Sequence, residues 1–144
     1  MHTDTPITVR YGETDMMGVV YHANYLLYFE DARIDFLDAA GFSYSERIEA
    51  AGYMSPIRSV EIEYRSPLRY GEAGFVRTTV AKNQPMRTVY HQRVFRAGDD
   101  PETDHPLVDA LVTVCVVERE TFKPVNIKHT FPDLFAVYAE GLEA

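Results

Sequence analysis

The sequence predicts an α+β fold in which an antiparallel sheet wraps one long central helix. Three observations carry that expectation. The stretch from about residue 22 to residue 40, HANYLLYFEDARIDFLDAA, places Tyr25, Phe29, Ala32, Phe36 and Ala40 at spacings of three and four, so they share one helical face. Its first turns, YLLYF, are apolar nearly all round, and such a helix is usually engulfed by other structure. From about residue 60 the period becomes two, in four segments separated by turn signals. Sequential strands so joined make an antiparallel sheet, and the helix must bury itself against it.

The elements follow in order. Thr5 to Arg10 (TPITVR) reads as a short strand, and a loop with Gly12 and Gly18 comes next. In the long helix, Leu26, Ile34 and Leu37 widen the apolar face, while Asp31, Asp35 and Asp38 take the other side. Asn24 is the expected N-cap and Gly41 the expected residue after the C-cap. SYSERIEAAG at 43–52 reads as a short second helix ending at Gly52. In VEIEYRSPLRYG, Val60, Ile62 and Tyr64 alternate with Glu61, Glu63 and Arg65, the pattern of a half-buried strand. GFVRTTVAKNQ at 74–84 and TVYHQRVFRAG at 88–98 are the next strands. LVDALVTVCVVERE at 107–120 is apolar on both faces and is therefore expected to be central. Turns are expected at Tyr70-Gly71-Glu72, at Asn83-Gln84-Pro85 and in the acidic 97–106 loop. The tail PDLFAVYAEGL predicts one or two more helical turns. No internal repeat, low-complexity segment or linker interrupts the chain, so residues 1–144 form one expected domain.

Bulk properties narrow the function. A chain of 144 residues buries roughly 70% of its unfolded surface, enough for a core without staples. A formal charge of −8 argues against a broad nucleic-acid-binding face, yet a few local arginines could still hold a small anion. No stretch approaches the roughly 20 apolar residues that span a bilayer. MHTDTPITVR lacks the basic and apolar regions of a secretory signal. The expectation is a cytoplasmic protein without membrane insertion. The single cysteine, Cys115, lies in LVTVCVVE and reads as a small buried core residue.

Several chemistries lack their signature here. There is no G-x-S-x-G, no H-E-x-x-H or paired C-x-x-C, and no G-x-G-x-x-G or Walker A run. The five histidines are scattered, and His105 with Asp109 reads as structural. What remains is YGETDMMGVVYHANY at 11–25. Asp15 stands three residues before Gly18, which lets a ligand approach the main chain closely. The next residues, VVYHAN, lead into the long helix. The first N–H groups of a helix lack internal partners and carry the positive end of its dipole. A carboxylate beside such donors suits acyl transfer, one group acting as base or nucleophile and the other holding an oxyanion. Residue types alone leave this open: aspartate in a glycine-containing turn is usually only a turn residue.

The run Y-x-E-T-D-x-M-G-V-V-Y-H-A-N-Y, followed by FEDARIDFL, closely resembles the 4-hydroxybenzoyl-CoA thioesterase family of hotdog-fold proteins. It is especially similar to the bacterial acyl-CoA thioesterases of the type found beside Tol–Pal genes. The match is densest over residues 9–42, and the later strand pattern agrees. The resemblance implies a hotdog fold and hydrolysis of an acyl-CoA thioester. It assigns the catalytic aspartate to Asp15 and the carbonyl-polarising amide to His22. Gly18, Val19 and Val20 would lie along the thioester, and Tyr21, the His22 side chain and Tyr25 would line the pocket, together with aromatics such as Tyr28, Phe29 and Tyr64. Arg87 is the expected phosphate contact for coenzyme A, ahead of Arg58, Lys82 and Lys123. No metal or redox cofactor is implied. The partners implied are a small-molecule acyl-CoA or an acyl carrier protein, with assembly into homodimers or homotetramers and active sites between protomers. Two rivals remain on the same fold: a non-catalytic acyl-CoA or acyl-carrier-binding protein, and a hydratase or dehydratase using His22.

Overall fold

The computed structural model describes residues 1–144. In chain order the strands are β1 (Thr3–Thr8), β2 (Tyr53–Met54), β3 (Ile57–Tyr64), β4 (Ala73–Gln84), β5 (Arg87–Arg96), β6 (Val108–Val114) and β7 (Val117–Glu118). The helices are α1 (Tyr25–Ala39), α2 (Ile127–Thr130) and α3 (Pro132–Glu140). A 3-10 turn at His22–Asn24 precedes α1, and a π turn at Ser45–Glu49 stands where the second helix is expected.

Five strands form one antiparallel sheet in the order β1-β4-β5-β6-β3. Strands β4, β5 and β6 pair in sequence as expected. Strand β3 departs from that expectation, because it pairs with β6 at the far edge rather than with β4. The reason lies in the segment after it. Leu68 is buried, and its carbonyl accepts from Val20 N–H at 2.8 Å, while Glu72 O accepts from Val9. The chain therefore crosses to the β1 side of the sheet before β4 begins. The 107–120 run also divides: β6 is interior, and the short β7 pairs with β2 in a separate ribbon. Val108, Ala110, Val112 and Val114 are buried, whereas Asp109, Leu111 and Thr113 are only half-buried on the outer face. The strand is thus flanked on both edges, with one face fully in the core.

Helix α1 lies against the inner face. Tyr25, Phe29, Ala32 and Phe36 are all buried, as their spacing predicts, together with Tyr28 and Leu37. Leu26 and Ile34 do not join them: they are 42% and 39% exposed, and Leu27 is 56% exposed. One sheet covers only one side of the helix, so a single chain does not finish the engulfing. Asn24 also differs from expectation. It has helical angles, and its Nδ2 donates to Glu13 O at 2.9 Å instead of its side chain capping α1. The 3-10 turn moves the helix start back to His22, which places Asn24 inside it. Gly41 has φ +78°, as a residue after the C-cap requires. Cys115 is buried, and no helix is long and apolar enough to cross a membrane.

Gly74 shows why one glycine is needed. A Cβ there would stand 2.4 Å from Phe95 O, inside the β4–β5 ladder. Across the other edge, Arg77 clasps Asp4 with Nε–Oδ1 and Nη2–Oδ2 contacts, both 2.8 Å. The guanidinium holds the Asp4 carboxyl below its ordinary value of 3.8. A lowered folded-state pKa gives stability that is present above the unfolded value and lost as the pH falls through the folded one. The pair is partly exposed, so its worth is about 1 kcal/mol or less. Asp4→Asn should therefore lower stability slightly at neutral pH and flatten its loss below about pH 4, read from urea unfolding between pH 3 and 6.

Candidate active site

The 11–25 motif folds as a small, tightly tied loop. Asp15 N–H donates to Val19 O at 2.9 Å and Gly18 N–H returns to Asp15 O at 3.0 Å. The Asp15 side chain accepts from Met17 N–H through Oδ1 at 2.8 Å. Gly18 closes this turn with φ +77°, a conformation that side chains disfavour. Isolated bridges Thr14↔Val20 and Val19↔Arg69 hold the loop on both flanks. Asp15 is therefore fixed by backbone on each side while its carboxylate stays partly open.

Glu13 ties the loop to the helix. Its carbonyl accepts from Tyr21 N–H and from Asn24 Nδ2, both at 2.9 Å. Its carboxylate accepts from Tyr28 O–H at 2.8 Å and from Arg10 N–H at 2.9 Å. Burial, and then the Glu13 contact, push the Tyr28 phenol well up, so it remains a donor. Tyr28→Phe removes a hydrogen bond to a carboxylate and should cost about 2 kcal/mol in urea unfolding. The folded far-ultraviolet spectrum should be unchanged.

The His22 and Ala23 N–H groups find no acceptor in the chain, while Asn24 N–H is satisfied by Tyr21 O. They stand at the positive end of the 3-10 and α1 run. On the other side, Tyr64 O–H donates to His22 O at 2.9 Å, which fixes the peptide that follows. A groove of about 270 Å³ is bordered by Asp15, Val19, Val20, His22, Tyr25 and Tyr64. A carboxylate, free amides and an apolar wall thus meet in one place. That arrangement can polarise a carbonyl and deliver a base or nucleophile to it.

The expected residues divide. Asp15, Val19, Val20, His22 and Tyr25 border this groove. Gly18 borders an adjoining recess that also contains Asp15. Tyr21 is exposed and packs against the His22 ring, with centroids 4.4 Å apart. Tyr28 and Phe29 are buried in the core, so they support the groove without lining it. Arg87 is not brought to Asp15 within the chain. It lines a recess of about 450 Å³ on the outer sheet face with Arg58, Lys82 and Glu61, and its Nε is held by Gln84 Oε1 at 3.0 Å. The His22 ring makes no hydrogen bond to a carboxylate. The histidine with acidic partners is His91, between Asp109 (2.7 Å) and Glu143 (2.9 Å) on the outer face. Asp109 is thus a partner of His91 rather than of His105.

Glu13, Asn24, Tyr28 and Tyr64 were not singled out for these roles by the sequence. All but Tyr64 lie inside or beside the motif, but side-chain pairing across fifteen residues has no periodic signature.

Residues 9–134 match the family model described as the thioesterase-like superfamily. YneP of Bacillus subtilis (strain 168) is 37% identical over 135 residues, which cover 94% of each chain. The acyl-CoA thioester hydrolase YbgC of Escherichia coli O157:H7 is 32% identical over 119 residues, 83% of this chain and 84% of its own length. Among solved structures, the DHNA-CoA thioesterase of Staphylococcus aureus superposes with a TM-score of 0.86 at 34% identity, covering 96% of this chain and 89% of that one.

Proposed function

The chain belongs to the thioesterase-like superfamily, and from that premise we propose that it hydrolyses acyl-CoA thioesters to free acid and coenzyme A. The observation that carries the reading is the groove where the Asp15 carboxylate and the unpaired amide of His22 meet. The thioester carbonyl oxygen would sit against the His22 and Ala23 N–H groups, which stabilise the negative charge that develops there. Asp15 supplies the second function. It either takes a proton from the attacking water or attacks the carbonyl itself, giving a mixed anhydride that water then opens. Val19, Val20 and Tyr25 form the apolar wall along the thioester, with Gly18 allowing close approach. The chemistry needs no metal or redox group. The relatives' names support the same substrate class.

Coenzyme A carries phosphates, and Arg58, Lys82 and Arg87 supply three cations in one recess. Because this recess is apart from Asp15 in one chain, the proposal has Arg87 serving the groove of a neighbouring protomer. Exposed Leu26, Leu27 and Ile34 on α1, with Ile57 on the open edge of β3, support dimerisation along that side. The acyl group arrives on coenzyme A rather than on a carrier protein in this reading, and the site of action is the cytoplasm.

The test is release of free thiol from short, long, branched and aromatic acyl-CoAs, with hydration of crotonyl-CoA followed in parallel. Thiol release with at least one of them is expected. Acyl-CoA binding without thiol release would overturn the reading in favour of a binding protein, and hydration alone would favour a hydratase.

A further inference from the structure

A second cavity, of about 290 Å³, lies between α1, the 44–57 segment, β6 and α3. It shares no lining residue with the Asp15 groove, and Ile34 and Ile57 at its rim lie on the side proposed above for dimerisation. Arg33 stands about 16 Å along the helix from His22. The cavity walls are apolar, with Leu37, Ile48, Val116 and Leu134 among them. Glu30 and Ser55 stand among the lining residues, and two further polar features interrupt the apolar lining. Arg33 projects into it, donates from Nη1 to Gln92 Oε1 at 3.1 Å and forms no ion pair. Its remaining N–H groups have no acceptor in the chain. Glu30, one turn back, is exposed and also unpaired with it. Gln92 is itself locked, since its Nε2 donates to Phe29 O and Thr78 Oγ1, so its oxygen is held toward Arg33.

The second feature is a tyrosine pair. Tyr90 and Tyr138 are 1% and 3% exposed, both line the cavity, and their hydroxyls are 3.0 Å apart. One hydrogen bond joins two hydroxyls, so whichever donates, one O–H is left without an acceptor. The half-buried Arg33 guanidinium has no counter-ion, and a buried hydroxyl without an acceptor is costly in an apolar surrounding. They ask for the same thing: an anionic acceptor. Ten of the fourteen lining residues are hydrophobic, so the body of a ligand held here would be apolar.

We propose that this cavity binds a carboxylate with an apolar body, its oxygens accepting from Arg33 and from the Tyr90–Tyr138 pair. Arg33 is the discriminating group, because a guanidinium binds a carboxylate through paired charge-assisted bonds and gains much less from a neutral amide. Tyr138 adds a single neutral donor.

The experiment is a titration of the full chain with octanoate and octanamide, read by tyrosine fluorescence and calorimetry. Octanoate should bind wild type roughly tenfold or more tightly than octanamide. Arg33→Met should abolish that preference, and Tyr138→Phe should weaken octanoate by a smaller factor. If Arg33→Met does not fold, the wild-type comparison and Tyr138→Phe still decide. Equal affinity for acid and amide, or no binding of octanoate at millimolar concentration, would overturn the proposal. A second arm separates the two sources of the carboxylate. Octanoate binding with no preference for hexadecanedioyl-CoA over palmitoyl-CoA assigns the cavity to a free acid. A hexadecanedioyl-CoA preference that Arg33→Met removes assigns it to the far end of a bound acyl chain. The octanoate arm needs no hydrolysis, so it can fail or succeed independently of the thioesterase reading.

Discussion

Asp15→Asn is expected to lower thiol release from acyl-CoA by about 10²- to 10⁴-fold, the range that a positioned proton-transfer group supplies. Loss of a nucleophile would fall at the upper end of it or beyond. The substitution keeps shape and keeps an oxygen that can accept from Met17 N–H, the one side-chain hydrogen bond Asp15 makes. The loop is otherwise held by backbone bonds, through Asp15, Val19 and Gly18 and the bridge Val19↔Arg69. Stability should therefore change by no more than about 0.5 kcal/mol. Acyl-CoA binding should persist, because the amides of His22 and Ala23 and the apolar wall are untouched. The loss should appear in kcat with little change in KM, as for an interaction made mainly in the transition state. Measuring kcat and KM on the folded variant checks both halves.

Phe36→Ala is expected to have the largest effect on folding, about 3–5 kcal/mol. Phe36 is fully buried on α1 and meets Tyr90 edge-to-face at 5.8 Å between ring centroids. It also packs where a Cβ on Gly141 would come within 2.6 Å of its ring, so the C-terminal turn closes directly over it. Removing the ring leaves a void that this closely packed corner cannot collapse into. For a domain with roughly 5–15 kcal/mol in total, that is a large share. Urea unfolding followed by far-ultraviolet circular dichroism measures it. The Tyr90–Tyr138 pair, which lines the second cavity, adjoins this void.

The helix and its buried face were legible because the 3.6-residue period is a local property. Tyr25, Phe29, Ala32 and Phe36 need only their own spacing to be recognised. The place of β3 was not legible, because pairing with β6 joins residues far apart in sequence and depends on the crossing segment around Leu68. The exposure of Leu26 and Ile34 was hidden for another reason. Their apolarity says that they want cover, but not whether the same chain supplies it. Within the site, Asp15 and His22 were readable because they lie on one contiguous loop entering one helix, and the family resemblance singled them out. The Glu13–Tyr28 bond and the Arg33–Gln92 contact were invisible, since each joins side chains whose meeting depends on the finished fold. For Arg87 the strand position was legible but not its neighbours: Arg58 and Lys82 share its recess only because β3, β4 and β5 lie in one sheet.

The central claim is that the thioester carbonyl docks on the helix start beside Asp15. It is tested most directly by titrating 15N-labelled protein with a ketone analogue of an acyl-CoA, in which a methylene replaces the thioester sulfur. The amide resonances of His22 and Ala23 should move downfield and saturate together with those of Val19 and Val20. Saturable binding that leaves His22 and Ala23 unmoved, with shifts confined to other parts of the molecule, would contradict the account.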